Sequence, residues 1–385
     1  MTRQCAVAIA TAAVAVLGGA LPIDARAAGT VGTGSAASCT EASFDAALVG
    51  GGAVTFDCGG PATITFTATK AIAVATSITG APGIVLSGGN AVRLFNVTGG
   101  GLVVDGLTLD AGRDTLAQPG AAAINASAPV QILNSTVSNH QTSNGGCPAI
   151  VVSGTTLTIT RSTVTGNVNS APAQGFAVCG NNTSDLQISL STFSGNTGGA
   201  IMSSGTSTVY GSTIAGNTST GGGNTGGIQV FGASGSMNLG HSIVAGNAGT
   251  GQCSTFSGGV INDQGGNLQF PDSACGATIP VLDPRLGPLA SNGGPTQTMA
   301  LLSGSPAIDG GVSLVCPLAD QRGVPPQDGD GNGTVVCDVG AFEAPTFVRR
   351  PAPSPVPISG GALAVLAMLL GFGGAAVLRG HARRA

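Results

Sequence analysis

Five segments of this chain repeat one short phrase. They are Asn134-Ser135-Thr136-Val137-Ser138-Asn139-His140, Arg161-Ser162-Thr163-Val164-Thr165-Gly166-Asn167, Leu190-Ser191-Thr192-Phe193-Ser194-Gly195-Asn196, Gly211-Ser212-Thr213-Ile214-Ala215-Gly216-Asn217 and His241-Ser242-Ile243-Val244-Ala245-Gly246-Asn247. The aligned serines are 27, 29, 21 and 30 residues apart. A unit this short cannot bury an apolar face by itself and must stack on its own copies, which is the logic of a solenoid.

The unit is a strand unit. Ahead of each phrase stands an alternating stretch, such as Leu157 and Ile159, or Leu186 and Ile188. Alternation of β-branched and aliphatic residues argues strands with one buried face. A further short apolar run lies upstream in each unit: Ala149 to Val152, Phe176 to Val178, Ala200 to Met202, Ile228 to Phe231. With 65 glycines among 385 residues, helical repeats are excluded. The reading is all-β: a right-handed parallel β-helix with three strands per coil, stacked at about 4.8 Å. Eight or nine coils fit residues 53–280. Stacking places Asn167, Asn196, Asn217 and Asn247 above one another at a turn. There their amides hydrogen-bond along the stack, and Asn tolerates left-handed backbone angles.

A solenoid must close its ends. Within residues 28–52, Thr40 reads as a helix N-cap, Glu41 as its first turn, Phe44, Ala47 and Leu48 as one apolar face and Gly50 as the stop. This segment is the expected N-terminal cap.

Both termini read as targeting segments. Arg3, the apolar run Ala6 to Leu21 and Ala25-Arg26-Ala27 make residues 1–27 a signal peptide. At the other end, residues 345–357 form a Pro-rich linker. The uncharged stretch 358–378 is about 31 Å long as a helix, enough to span a bilayer. Residues 379–385, with Arg379, Arg383 and Arg384, form a basic tail that belongs in the cytoplasm. This end resembles the C-terminal sorting tails of Gram-negative bacteria, which a membrane protease removes. Export leaves eight cysteines once Cys5 departs with the signal, an even number suited to an oxidising compartment. Eight cysteines allow 105 pairings. Sequential pairing is expected: Cys39–Cys58, Cys147–Cys179, Cys253–Cys275 and Cys316–Cys337.

From Leu282 the text changes. It contains Leu282-Asp283-Pro284-Arg285-Leu286-Gly287-Pro288-Leu289, Asn292-Gly293-Gly294-Pro295-Thr296, Gly304-Ser305-Pro306-Ala307-Ile308-Asp309-Gly310-Gly311, Asp320-Gln321-Arg322-Gly323 and Cys337-Asp338-Val339-Gly340-Ala341-Phe342-Glu343. These blocks, in this order, resemble the choice-of-anchor Q domain of bacterial surface proteins. The resemblance covers residues 281–344 and implies a surface-anchored, pectin-lyase-like solenoid followed by a sorting tail. It implies no activity. Physically the blocks read as an irregular cap on the last coil, held by Asp283, Asp309, Asp320, Arg322 and Asp338.

One loop suggests a metal. Asp328-Gly329-Asp330-Gly331-Asn332-Gly333 begins like a calcium loop, with oxygen side chains at alternate positions on a turn that glycines allow. The twelfth position is Val339, so no EF-hand is completed. Asp338 or Glu343 would close the site, giving Asp328, Asp330, Asn332 and Asp338 as the candidate calcium set.

Catalysis finds little support. A pectin-lyase-type fold would need acidic ligands and a basic residue, or paired carboxylates. Between residues 115 and 270 the only charges are Arg161, Asp185 and Asp263. Asp105, Asp110, Arg113 and Asp114 are the one dense spot on the coils, and read as solvated turns. His140 and His241 lie near serines, but serine is frequent here. With charged residues at 8% and a net charge of −4, no basic surface exists for nucleic acid. The expected protein is an exported, envelope-anchored surface protein of structural or adhesive role. The alternatives are a glycan-binding surface protein, for which the chain offers no Trp and one Tyr as stacking platforms, or a polysaccharide lyase or hydrolase. The expected partners are the membrane and an extracellular glycan or cell-surface molecule.

Overall fold

The computed structural model describes residues 29–114, 120–171, 175–219, 221, 224–312 and 315–346. The expected signal peptide, the linker from residue 347, the apolar stretch 358–378 and the basic tail lie outside the described residues. Among the described residues no helix is long and apolar enough to cross a membrane.

The body is an all-β parallel solenoid of about nine coils, carried by three long sheets. The first has ten strands, from Gly29–Val31 to Val260–Asp263. The second has nine, from Ala62–Thr65 to Leu268–Phe270, and the third has eight, from Lys70–Ile72 to Cys253–Phe256. One coil visits each sheet once: Val130–Leu133 in the first, Thr136–Ser138 in the second, Ile150–Ser153 in the third. The pairings between coils are parallel and in register, as in Val104, Ile132, Ile159, Ile188, Val209 and Leu239. Those residues point into the bore and are 0–1% exposed. Isoleucine and valine suit these columns because branched side chains pack well on a pleated surface.

The repeated phrase encodes two corners. The first corner joins the first sheet to the second. The residue before each serine has a positive φ: Asn134 46°, Arg161 50°, Leu190 49°, Gly211 55° and His241 48°. The serine hydroxyl donates to the carbonyl two residues back, for example Ser162 to Thr160 at 2.8 Å. It also accepts the backbone N–H of the serine one coil earlier: Ser162 from Ser135, Ser191 from Ser162, Ser212 from Ser191 and Ser242 from Ser212, each at 3.1–3.2 Å. The second corner is the Gly-Asn pair. There the glycines, not the asparagines, take the left-handed conformation, with φ of 64°, 68°, 69° and 61° at Gly166, Gly195, Gly216 and Gly246. The expectation that Asn supplies that angle is therefore corrected. Glycine reaches positive φ without a Cβ clash, which leaves the asparagine free to turn inward.

A fourth, short sheet adds to the three that the sequence predicts. Arg113–Asp114, Gln141–Thr142 and Val168–Asn169 pair in parallel beyond the second corner. Single bridges through Thr197, Thr218 and Ala248 continue the line.

A short helix, Glu41–Leu48, closes the N-terminal end. Thr40 and Ser43 form a reciprocal capping box. Phe44 is fully buried, with its ring 5.0 Å from Phe66 and 6.5 Å from Phe95. Glu41 accepts from Thr67 N–H at 2.8 Å and from Lys70 Nζ at 2.6 Å, and Asp45 also pairs with Lys70. Burial opposes ionisation of Glu41, but these donors outweigh it and hold its pKa down to about 2.

The opposite end differs from the expected cap. Residues 271–281 close the last coil. Gln269 donates to the carbonyls of Gly276 and Ile279 and accepts from Cys275 N–H. Residues 282–346 do not sit on that end. They fold back along the outer face of the second sheet, over the column Thr163, Thr192 and Thr213, which is 0–1% exposed. Gln321 is the clasp: its Oε1 accepts from Thr192, and its Nε2 donates to Thr163, Thr296 and the Gln297 carbonyl. Nearer the C-terminal end, Ala341 N–H donates to Thr213 at 3.0 Å and Gly340 N–H to the His241 carbonyl at 2.8 Å.

Candidate functional site

The polar chemistry of the coils runs inward. Asn167 Nδ2 donates to Asn196 Oδ1 at 2.9 Å, Asn196 to Asn217 at 2.8 Å, and Asn217 to Asn247 at 2.9 Å. The second proton of each amide goes to a carbonyl one coil back: Val137, Val164, Phe193 and Ile214. Each Oδ1 also accepts a backbone N–H from the previous coil, as Asn196 does from Asn167 at 3.2 Å. Both donors of these amides are thus used, as are both acceptor positions of Asn196, Asn217 and Asn247, and such a group is cheap to bury. Gln252 ends the ladder, accepting from Asn247 Nδ2 at 3.0 Å and turning its own amide back to the Asn247 carbonyl.

His140 begins it, a member that reading the asparagines alone misses. Its Nε2 reaches the Leu109 carbonyl at 3.1 Å, the position that an Asn Nδ2 takes in later coils, and its Nδ1 accepts from Gly112 N–H. These contacts assign the Nε2–H tautomer. Complete burial pushes its pKa down to about 4, against a smaller opposite pull from the Leu109 carbonyl and Asp110. The signal was present: Asn139-His140 aligns with Gly166-Asn167.

The charged residues of the early coils do not converge. Asp105 accepts from Asn134, and Asp110 from Ser138 and Asn139, each at 2.8 Å. Asp114 is buried and pairs with Arg93 at 3.0 Å, a partner the sequence did not reveal.

All four disulfides stand between Cys39 and Cys58, Cys147 and Cys179, Cys253 and Cys275, and Cys316 and Cys337, with Cα atoms 4.8–6.1 Å apart. Bonds of this kind belong to an oxidising environment.

The acidic chemistry lies in the module. Carboxylate oxygens of Asp309, Asp328 and Asp330 all come within 4.8 Å of one another. Asp328 accepts Gly333 N–H at 2.9 Å, Asp330 accepts Asn332 N–H at 2.8 Å, and Asp309 Oδ2 accepts Asp330 N–H at 2.8 Å. Asn332 uses its Oδ1 on Thr334 N–H. Asp309 Oδ1 is buried without a hydrogen-bond partner among the described residues. Burial raises the Asp309 pKa, and the charges of Asp330 and Asp328 raise it further.

Asp338 is placed elsewhere than the fourth-ligand reading needs. It is 2% exposed and accepts the N–H groups of Asp309 and Ala344. It belongs to a second network with Glu343, Asp320 and Arg322. Glu343 accepts Asp338 N–H through Oε1, while its Oε2 is buried without a hydrogen-bond partner among the described residues. Burial, and next the Asp338 charge, push Glu343 up to about 8; burial also lifts Asp338 to about 6. Asp320 is held by Arg322, whose guanidinium lies 3.7 Å over the Phe342 ring.

One groove opens where the module meets the coils. It has a volume of about 270 Å³ and is lined by Gly80, Asp105, Asn134, Thr136, Pro295 and Thr296.

No family model, no curated protein and no solved structure matches the chain.

Proposed function

We propose that the chain is an exported, envelope-anchored surface protein whose solenoid is a rigid structural or adhesive rod. One observation carries this reading. The corner Ser and Asn side chains of the repeated phrase are consumed in coil-to-coil hydrogen bonds that stiffen the stack. The disulfides support export. The signal peptide, the choice-of-anchor Q module and the membrane-sorted tail complete the proposal on their sequence blocks, and right-handed winding follows the preference of parallel crossovers. Purified protein assayed on polygalacturonate and a glycan panel tests it. Turnover of any polysaccharide refutes the rod reading in favour of a lyase or hydrolase.

The groove beside Asp105 and Thr296 favours a second reading, a glycan-binding rod. Its size is close to the lower end of small-ligand sites, and hydroxyl, amide and carboxylate groups line it together with Pro295. Saturable glycan binding without turnover, lost on filling the groove with Thr136→Trp, supports this reading.

The acidic loop is proposed as a structural calcium site held by Asp309, Asp328, Asp330 and Asn332. Three crowded carboxylates repel one another, and a hard divalent cation relieves that repulsion.

A further inference from the structure

Three of the four disulfides are buried at both sulfurs' residues: Cys39 5% and Cys58 4% exposed, Cys147 6% and Cys179 0%, Cys253 4% and Cys275 4%. The fourth is asymmetric. Cys337 is fully buried, whereas Cys316 is partly exposed. Its buried sulfur rests on an imidazole: His241 Nδ1 lies 3.7 Å from Cys337 Sγ. His241 is itself fully buried, and its Nε2 has no hydrogen-bond partner among the described residues.

The coil does not require a histidine there. His241 occupies the first-corner position that Asn134, Arg161, Leu190 and Gly211 fill in the other coils, all at positive φ. The surroundings are cut to fit the ring. A Cβ on Gly311 would stand 2.4 Å from Cys337 Sγ and 3.2 Å from His241 Nδ1, and one on Gly266 would stand 3.0 Å from the same nitrogen. Tyr210 covers the ring, with centroids 5.2 Å apart.

We propose that Cys316–Cys337 is a thiol-exchange site that takes a low-molecular-weight thiol, with His241 as the group that stabilises the departing sulfur. The incoming thiolate attacks Cys316 Sγ, the exposed side. A new S–S bond forms between the incoming sulfur and Cys316 as the Cys316–Cys337 bond breaks. The electron pair of the broken bond leaves on Cys337 Sγ as a thiolate. The His241 Nδ1–H hydrogen bond holds that thiolate; no proton moves, and the one negative charge passes from incoming to departing sulfur. Exchange is faster the better the leaving thiolate is stabilised, and the neutral ring that burial favours keeps one N–H for this task. The product carries a mixed disulfide at Cys316 and frees the chain between residues 316 and 337, which bears the acidic loop.

The test uses the folded full-length protein, incubated with reduced glutathione, quenched by alkylation and mapped by peptide mass spectrometry. The expected result is a glutathione adduct on Cys316 and an alkylated Cys337, formed about tenfold faster than any modification of the other six cysteines. His241→Leu, the residue of the Leu190 corner, should slow that reaction by roughly tenfold. His241→Asn, the residue of the Asn134 corner, restores an N–H donor and should recover most of the rate. Equal reactivity of all four bridges in the wild type overturns the proposal, and that measurement needs no variant to fold. A His241→Leu protein that unfolds at the wild-type temperature and exchanges at the wild-type rate also overturns it, as does a His241→Asn protein as slow as His241→Leu.

Discussion

Glu343 offers the most direct test of the buried carboxylates. Its folded pKa of about 8 lies above the ordinary 4.5, so the folded state prefers the protonated acid. The stability linked to this group is fully present below pH 4.5 and is lost as pH rises through about 8. A shift of about 3.5 units at 1.36 kcal/mol per unit sets a ceiling of about 5 kcal/mol. Relaxation around the network and a high effective dielectric reduce this to about 2–3 kcal/mol. Glu343→Gln removes the charge and keeps an oxygen to accept from Asp338 N–H. For a body of roughly 300 residues, with about 2.1 cal/mol/K of unfolding entropy per residue, the gain corresponds to about 3–5 °C. Thermal unfolding of both proteins, followed by circular dichroism from pH 5 to pH 9, gives the comparison. The two should melt within about 1 °C of each other at pH 5, and the variant should lead by about 3–5 °C at pH 9. A gap that stays constant across the range would show that Glu343 is ionised throughout and refute the reasoning.

Four further outcomes are expected. Asn196→Ala leaves the Val164 carbonyl and the donors of Asn167 without partners inside the stack, so chemical denaturation should show a loss of about 3–5 kcal/mol; a loss under 1 kcal/mol would mean water replaces the amide. His140→Asn rebuilds the ladder with the residue the later coils use. Wild type should lose stability as pH falls from 6.5 towards 4, because a buried neutral histidine must charge, and the variant should lack that acid limb. Arg161→Gly, at φ 50°, should raise stability by up to about 1 kcal/mol in the same assay, and any clear loss would show that the arginine side chain contributes more than its backbone strain costs. Millimolar calcium should raise the melting temperature of wild type and not of Asp330→Ala, since binding to the folded state alone contributes about 1.4 kcal/mol at ten times Kd; an equal response from both reduces the loop to an acidic turn.

The coils were readable because their corners are local. A serine that bonds to the carbonyl two residues back, and a glycine that alone takes a left-handed angle easily, leave the same letters in coil after coil between residues 134 and 247. The apolar columns were readable for the same reason, through the period of two. The short fourth sheet was not, because two-residue strands such as Gln141–Thr142 carry no period. The course of residues 282–346 was not legible either. Gln321 bonds to threonines 129 and 158 residues away, and nothing in its neighbourhood announces those partners. The exchange of Asp338 for Asp309 beside the acidic loop was hidden for another reason: both are acidic and close in sequence, and only the fold turns Asp338 to the N–H groups of Asp309 and Ala344. Arg93 and Asp114 meet because coil stacking aligns them, while the letters around them show no pattern.

The amide ladder has a direction. Every Asn passes its proton to the next coil toward the C-terminus, His140 opens the file and Gln252 turns it back. Any coil bearing the serine corner and the Gly-Asn corner finds a donor waiting on one side and an acceptor on the other, wherever it is spliced between those two residues. Beyond them it finds neither. The ladder by itself therefore sets no length for the rod, since whole coils join it as a zipper gains teeth between its stops; the number of coils is fixed instead by residues 282–346, whose Gln321 and Ala341 reach the successive coils of Thr163, Thr192 and Thr213.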